Sequence, residues 1–220
     1  TITPATATIC EGTIATLTAN GGTSYTWSNS GGSNAAATFS PTTNATYTVT
    51  VTNTANCSAT ASRLVTVNAN PTAAISPATV AICNGSSATI TASGGTQYAW
   101  SNSGGSNAAA TFSPTTNTTY TVTVTAANTC TATASRLVTV NALPSAAING
   151  PTSICSGLSA TLTASGGGTY AWSNSLGSAA AVTVSPTTAT TYTVTVTNNS
   201  CTATASQTVS VQSAPTAVIN

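Results

Sequence analysis

The run Tyr47-Thr48-Val49-Thr50-Val51-Thr52 alternates apolar and hydroxyl side chains, and it returns as Tyr120-Thr121-Val122-Thr123-Val124-Thr125 and as Tyr192-Thr193-Val194-Thr195-Val196-Thr197. Period-two alternation is the pattern of a strand with one buried face, and Thr suits the outer face because it is β-branched. Working outward, the same alternation runs through Ala15, Leu17 and Ala19, through Tyr25 and Trp27, through Ala37 and Phe39, and through Ala59, Ala61, Arg63, Val65 and Val67. Between these runs lie turn-forming stretches: Asn20-Gly21-Gly22, Ser30-Gly31-Gly32, Ser40-Pro41-Thr42-Thr43 and Asn53-Thr54-Ala55-Asn56. Helical spacing appears nowhere.

Trp27, Trp100 and Trp172 are spaced by 73 and 72 residues, and so are Cys10, Cys83 and Cys155. The stretch 25–44 recurs at 98–117 with one change, Thr26 to Ala99, and the third copy keeps Tyr-x-Trp-Ser-Asn-Ser from Tyr170. The chain is therefore a tandem array. Its expected division is 1–70, 71–143 and 144–213, with 214–220 starting a further copy. With an opening strand around Thr72–Ile75, each copy holds six or seven short strands, the number in an immunoglobulin-like sandwich. The expected fold is all-β: three tandem immunoglobulin-like β-sandwich modules in a rod-like array. Small modules have thin cores, and Trp27, Trp100 and Trp172 are the expected core anchors.

Three of the 220 residues are charged, Glu11, Arg63 and Arg136, and the chain has no His and no Met. An ordinary domain is about a quarter charged. General acid–base catalysis draws on His, Asp, Glu, Lys or an activated Tyr or Cys, so this inventory excludes most enzymes. It offers no carboxylate set for calcium and no closely spaced Cys/His set for zinc. Two arginines make no basic face for nucleic acid. No apolar run is long enough to span a membrane. Thr1-Ile2-Thr3-Pro4-Ala5 carries neither the basic start nor the apolar core of a secretion signal, and without Met the chain reads as processed or as a fragment. No cofactor is expected.

The phrases Ile-Cys-Asn-Gly-Ser-Ser-Ala-Thr-Ile-Thr-Ala-Ser-Gly-Gly (82–95), Tyr-Ala-Trp-Ser-Asn (98–102), Ser-Pro-Thr-Thr-Asn-Thr-Thr-Tyr-Thr-Val-Thr-Val-Thr (113–125) and Cys-Thr-Ala-Thr-Ala-Ser (130–135) resemble the Ig-like or PKD-like repeats of very large secreted surface proteins of gliding Bacteroidetes-type bacteria. The resemblance covers all three copies and implies an extracellular adhesive or structural role at the cell surface. It carries over no catalytic residue. The chain departs from that pattern in lacking the Asp that often precedes the Asn-Gly-Cys turn and in being almost uncharged.

Six cysteines fall two to a copy, Cys10/Cys57, Cys83/Cys130 and Cys155/Cys201, which in a secreted chain reads as a disulfide framework. No Cys-x-x-Cys motif and no His is present to activate a thiolate. Pairing within each copy is the obvious arrangement, but the sandwich argues against it. If Leu17 faces Val49 beside Trp27, Cys10 lies where the Leu17 strand begins and Cys57 at the opposite end, roughly 20 Å away at about 3.3 Å per residue. Bridged Cα atoms lie within about 7 Å. Copies stacked bottom to top bring Cys10 near Cys130 and Cys83 near Cys201, leaving Cys57 and Cys155 for neighbouring chains. We therefore prefer the inter-copy pairs, with the pairs Cys10–Cys57, Cys83–Cys130 and Cys155–Cys201 as the alternative.

The tail Ala-Pro-Thr-Ala-Val-Ile-Asn (214–220) matches the openings of the second and third copies, Asn70–Ser76 and Leu143–Asn149, while Thr1–Pro4 aligns with Ala74–Pro77. Either the sequence is a window on a longer array, or subunits join head to tail, with Pro215, Ala217, Val218 and Ile219 donated as a strand to the next copy. Strand addition at a sheet edge and a non-closing contact together generate a filament.

Asn44 and Asn117 occupy matching Asn-x-Ser/Thr sequons, and Asn56, Asn84 and Asn198 form others. O-glycosylation of outward rows, Thr48, Thr50, Thr121 and Thr123 among them, explains better how a nearly neutral chain stays dispersed. Arg63 and Arg136 share one position in the last strand, where the third copy has Gln207; an exposed Glu11–Arg63 pair would be worth only about 0–1 kcal/mol. The expected function is a non-catalytic extracellular stalk, fibre or filament whose partners are copies of itself and covalent glycans. The alternative is an adhesin that binds surface glycans or a protein.

Overall fold

The computed structural model describes residues 1–215. All regular structure among them is β-strand. The first copy contains β1 (Ile2–Thr3), β2 (Ala7–Cys10), β3 (Ala15–Ala19), β4 (Ser24–Trp27), β5 (Ala36–Phe39), β6 (Ala45–Thr52) and β7 (Ser58–Asn68). The second contains β8 (Ala74–Ser76), β9 (Val80–Cys83), β10 (Ala88–Ser93), β11 (Gln97–Trp100), β12 (Ala109–Phe112), β13 (Thr118–Thr125) and β14 (Thr131–Asn141). The third contains β15 (Ala147–Asn149), β16 (Ser153–Cys155), β17 (Ala160–Ser165), β18 (Thr169–Trp172), β19 (Ala181–Val184), β20 (Thr190–Asn198) and β21 (Cys201–Gln212).

By contacts the chain falls into two compact units. One comprises Thr1–Pro77, Ile90–Ala110 and Tyr120–Arg136; the other comprises Ala78–Thr89, Thr111–Thr119 and the chain from Leu137 onward. In the first unit, the first copy forms a three-stranded sheet of order β1-β3-β5 and a four-stranded sheet of order β2-β7-β6-β4. All pairs are antiparallel except β2 with β7, which is parallel and sets Cys10 opposite Asn68. The same unit holds the antiparallel pairs β8 with β10 and β11 with β13. In the second unit, the third copy repeats the plan as β15-β17-β19 and β16-β21-β20-β18, and β9 runs parallel to β14. This is the all-β immunoglobulin-like sandwich.

The alternation explains the layering. In β6, Tyr47, Val49 and Val51 are buried, and in β3 so are Ala15, Leu17 and Ala19. The inner faces of the two sheets meet in one cluster that also takes in Trp27, Phe39 and Val65. The third copy builds its cluster from Leu162, Trp172, Val182, Val184, Tyr192, Val194, Val196 and Val209. Burying such side chains contributes about 1.5–3 kcal/mol each, and no polar or charged residue among the described ones is buried.

One expected feature differs. The sequence placed Cys10 at the start of the Leu17 strand, whereas β2 is a separate strand in the opposite sheet, turned away from β3 by a tight bend in which Gly12 has φ of 80° and Thr13 N–H donates to the Cys10 carbonyl at 3.0 Å. Positive φ is what glycine adopts without a Cβ penalty. Two residues of apolar alternation, Ala7 and Ile9, were too short a run to separate from the strand that follows.

Candidate functional site

The six cysteines occupy two kinds of position. Cys10, Cys83 and Cys155 close the strands that run parallel to the last strand of each copy. Each is held the same way: the next residue's N–H, from Glu11, Asn84 or Ser156, donates at 2.9 Å to the carbonyl of Asn68, Asn141 or Gln212. Cys57, Cys130 and Cys201 sit at the start of the last strand, just after a hairpin turned by a left-handed residue, with φ of 59° at Asn56, 67° at Thr129 and 63° at Ser200. In the first two copies the hairpin closes by Asn53 N–H to the Cys57 carbonyl (3.0 Å) and Ala126 N–H to the Cys130 carbonyl (2.9 Å).

Two disulfides join these two kinds. In the first unit Cys10 is bonded to Cys130 with Cα atoms 5.6 Å apart, and in the second Cys83 is bonded to Cys201 at 5.5 Å. Both distances are ordinary for bridged cysteines. Cys57 and Cys155 are free thiols and exposed. The pairs Cys10–Cys57, Cys83–Cys130 and Cys155–Cys201 are thus not made, and the register shows why. Cys10 lies opposite Asn68 while Cys57 precedes Ser58 at the other end of β7, a separation of about 35 Å at 3.3 Å per residue, larger than the sequence-based figure.

Amide side chains back each bridge. Asn128 Nδ2 donates to the Ala69 carbonyl at 3.1 Å, and Asn141 Nδ2 donates to the Asn199 carbonyl at 3.3 Å. Cys130 and Cys201 are almost fully buried, so each bridge is shielded on the side of the later copy.

Arg63 does not pair with Glu11. Its Nη2 donates to the Ile2 carbonyl at 3.1 Å and its Nη1 to the Ala5 carbonyl, fastening the bend where the chain crosses from β1 to β2. Arg136 Nη2 reaches the Ile75 carbonyl at 2.9 Å. In the third copy Gln207 Nε2 does the same work, donating to the carbonyls of Gly150 (3.2 Å) and Pro151 (3.1 Å). The shared task is donation to a crossover backbone, which needs N–H groups more than charge. The sequence showed the shared position and not the target, because the carbonyls lie about sixty residues earlier in the chain.

Trp27, Trp100 and Trp172 are buried, and each indole N–H donates to a loop carbonyl, of Asn34 (2.9 Å), Asn107 (3.0 Å) and Ala179 (2.9 Å). A buried indole with its one donor satisfied is a core group. Asn44 and Asn117 are exposed, and their Oδ1 atoms accept from Val67 N–H and Val140 N–H at 2.8 Å. Thr48, Thr50, Thr121 and Thr123 are half-buried; the Thr48 hydroxyl pairs with Ser62 and that of Thr121 with Ser135, both at 2.8 Å. Pro215 is exposed, while Ala217, Val218 and Ile219 lie outside the described residues.

Among the described residues no group of three or more His, Cys, Asp or Glu side chains is placed to hold a metal ion, and no helix is long and apolar enough to cross a membrane. What the arrangement does chemically is cross-link.

No protein-family model matches the chain, and no curated protein matches it. Solved structures similar to it include extracellular domains 3–5 of Drosophila OTK, at 12% identity over 94% of both chains with a TM-score of 0.42. The I-band fragment I67–I69 of titin is similar at 13% identity over 96% of both chains, TM-score 0.41. A Ca2+-stabilized, ice-binding adhesin of an Antarctic bacterium is similar at 14% identity over 94% of this chain and 71% of that one, TM-score 0.39.

Proposed function

We propose that the protein is a non-catalytic extracellular structural element, three immunoglobulin-like modules that serve as a length-bearing part of a surface stalk or fibre, joined head to tail and carrying O-glycans on its outward Ser and Thr rows. The observation that carries this reading is the linkage of successive copies by Cys10–Cys130 and Cys83–Cys201. Disulfides persist in oxidising, extracellular surroundings, and an inventory with one carboxylate, no His and no Lys excludes most enzyme chemistry.

The two bridges interlock, because Cys83 lies inside the loop closed by Cys10–Cys130 and Cys130 inside the loop closed by Cys83–Cys201. Under tension the shortest covalent path from Cys10 to Cys201 then runs through both bridges and about 47 residues, against about 191 in the reduced chain; at about 3.5 Å per residue these are roughly 165 Å and 670 Å. The bridges therefore cap the extension of the element even after strands are pulled apart. The adhesin reading finds less support, since Trp27, Trp100 and Trp172 are buried and offer no stacking platform.

Pulling single chains between their ends tests this. The oxidised chain should reach a contour length several-fold shorter than the same chain in reductant. Equal lengths in the two conditions, or binding of a glycan lost on an exposed-loop substitution, would count against a mechanical role. An intact mass of native material equal to the bare chain would remove the glycans from the proposal.

A further inference from the structure

We infer that Asn44 and Asn117 carry N-linked sugars, each laid over the exposed leucine beside it, Leu64 or Leu137. The inference takes from the reading above its extracellular setting and is separate from the O-glycans proposed there.

The outer face of β7 presents Ser58, Thr60, Ser62, Leu64 and Thr66 in turn, so one apolar side chain stands in a row of hydroxyls. Leu64 is 52% exposed, and Leu137, at the same place in β14, is 50% exposed. Single exposed leucines are ordinary on protein surfaces; these two are set apart by what accompanies them. Leu64 lies opposite Thr46, and Asn44 is the preceding residue on that face, a diagonal neighbour of Leu64 at about 7–8 Å. Leu137 stands three residues before Val140, as Leu64 does before Val67, and it is Val67 and Val140 whose N–H groups donate to Asn44 and Asn117. The third copy has neither residue: Ala189 replaces the asparagine and Thr208 the leucine. There the Thr208 hydroxyl pairs at 2.8 Å with that of Thr191, the counterpart of Thr46. Leucine and sequon are present together and lost together.

Both asparagines are presented for modification. They are exposed and open the sequons Asn44-Ala45-Thr46 and Asn117-Thr118-Thr119. A backbone N–H can only donate, so Val67 or Val140 fixes the amide oxygen inward. Nδ2 is left outward, and neither it nor the Thr46 and Thr119 hydroxyls have a partner among the described residues. Beside Leu64 lies a groove of about 260 Å³ along β2, lined in part by Thr6, Thr8 and Thr66. A pyranose ring, with an apolar C–H face and hydroxyl edges, suits a lining of one leucine among hydroxyls. The other sequons are held in tight turns, with φ of 59° at Asn56, 88° at Gly85, and 47° and 63° at Asn199 and Ser200. Asn44 and Asn117 instead lead straight into β6 and β13.

The donor is a lipid-linked sugar diphosphate brought by a transferase. Nδ2 attacks C1 of the sugar, the N–C1 bond forms and the C1–O bond to the diphosphate breaks. The diphosphate leaves with the electron pair, and Nδ2 gives up one proton to a base of the transferase. Oδ1 takes no part, so its bond to Val67 or Val140 survives.

The test maps digested native material by mass spectrometry after alkaline β-elimination has stripped sugars from Ser and Thr. The expected result is a sugar mass retained on Asn44 and Asn117 in most chains, with Asn56, Asn84 and Asn198 bare. Thr46→Ala, which keeps Asn44 and its hydrogen bond but breaks the sequon, should remove the sugar at Asn44 and leave that at Asn117. Chains with both Thr46→Ala and Thr119→Ala should bind an apolar dye several-fold more than the parent, and adding Leu64→Thr and Leu137→Thr should abolish the rise. Bare Asn44 and Asn117, sugar equally frequent at the other three sequons, or dye binding unmoved by loss of the sugars would overturn the inference. Sugar that is all lost on β-elimination sinks this inference and leaves the O-glycan reading standing; sugar that all resists it does the reverse.

Discussion

The first and third copies are built on the same seven-strand plan, yet they fill the same space with different atoms. In the first copy Phe39 stacks on Tyr47 with ring centroids 3.8 Å apart and meets Trp27 edge-on at 5.8 Å. Gly31 lies against that ring, so that an added Cβ would come within 2.6 Å of Phe39 and of the Trp27 Cβ. In the third copy the matching residues are Val184 and Leu176, with Val182 in place of Ala37, and Leu176 packs against the core. The turn backbone is unchanged, since Gly31 N–H and Leu176 N–H both donate three residues back, to Ser28 and Ser173 at 3.2 and 3.3 Å. One copy fills the volume from the sheet and the other from the loop. Interiors packed as densely as crystals allow such exchanges only when volume is conserved.

The cysteines divide the two copies most sharply, since the first copy uses its early cysteine and frees its late one while the third does the reverse. The largest expected effect follows. Replacing Cys10 and Cys130 together by Ala opens a loop with a sequence separation of 120 and should lower stability by about 4–5 kcal/mol on loop-closure grounds. Cys57→Ser and Cys155→Ser should each change the unfolding free energy by no more than about 0.5 kcal/mol. Equal midpoints for the double variant and either single variant would sink the distinction between used and unused cysteines.

The core exchange predicts the next effect. Gly31→Leu in the first copy drives a side chain into the Phe39 ring and should cost about 1–3 kcal/mol by overpacking. Phe39→Val alone should cost a similar amount by leaving a cavity. Combined they reproduce the third copy's solution, so their costs should fall short of the sum by about 1–2 kcal/mol. Additive denaturation midpoints would mean that the loop and the sheet do not share this volume.

These comparisons show what was legible in the sequence. The strands carrying Leu17, Trp27, Phe39, Val49 and Val65 were readable because period-two alternation reports a buried face directly. The inter-copy cysteine pairs followed from the ends of strands, a geometric quantity that survives an error in strand assignment: β2 was misplaced, yet Cys10 was still at the end opposite Cys57. What could not be read was the target of a polar side chain. Arg63 looked like a partner for Glu11 because charge is visible in sequence, while the carbonyls of Ile2 and Ala5 it contacts are backbone atoms that every residue carries. Gln207 at the same position was the available hint that donors, not charge, were required.

The smallest difference between the copies is also the cleanest to test, because it concerns one hydrogen bond on the surface. β6 begins at Ala45, paired with Val65, so β7 runs on past the start of its neighbour. Asn44 extends the ladder with its side chain, its Oδ1 accepting from Val67 N–H at 2.8 Å, and Asn117 does the same for Val140. The third copy has Ala189 at this place and Val211 in the strand, and an Ala side chain has no acceptor to offer. Ala189→Asn should therefore raise stability by about 0.5–1 kcal/mol, and Asn44→Ala should lower it by about the same amount, the usual net worth of one such bond. Both substitutions leave the buried core untouched, so opposite signs of similar size in chemical denaturation would assign the effect to this bond. A loss of stability on Ala189→Asn would show that the third copy's strand end is held differently, and that Ala189 is fitted to it.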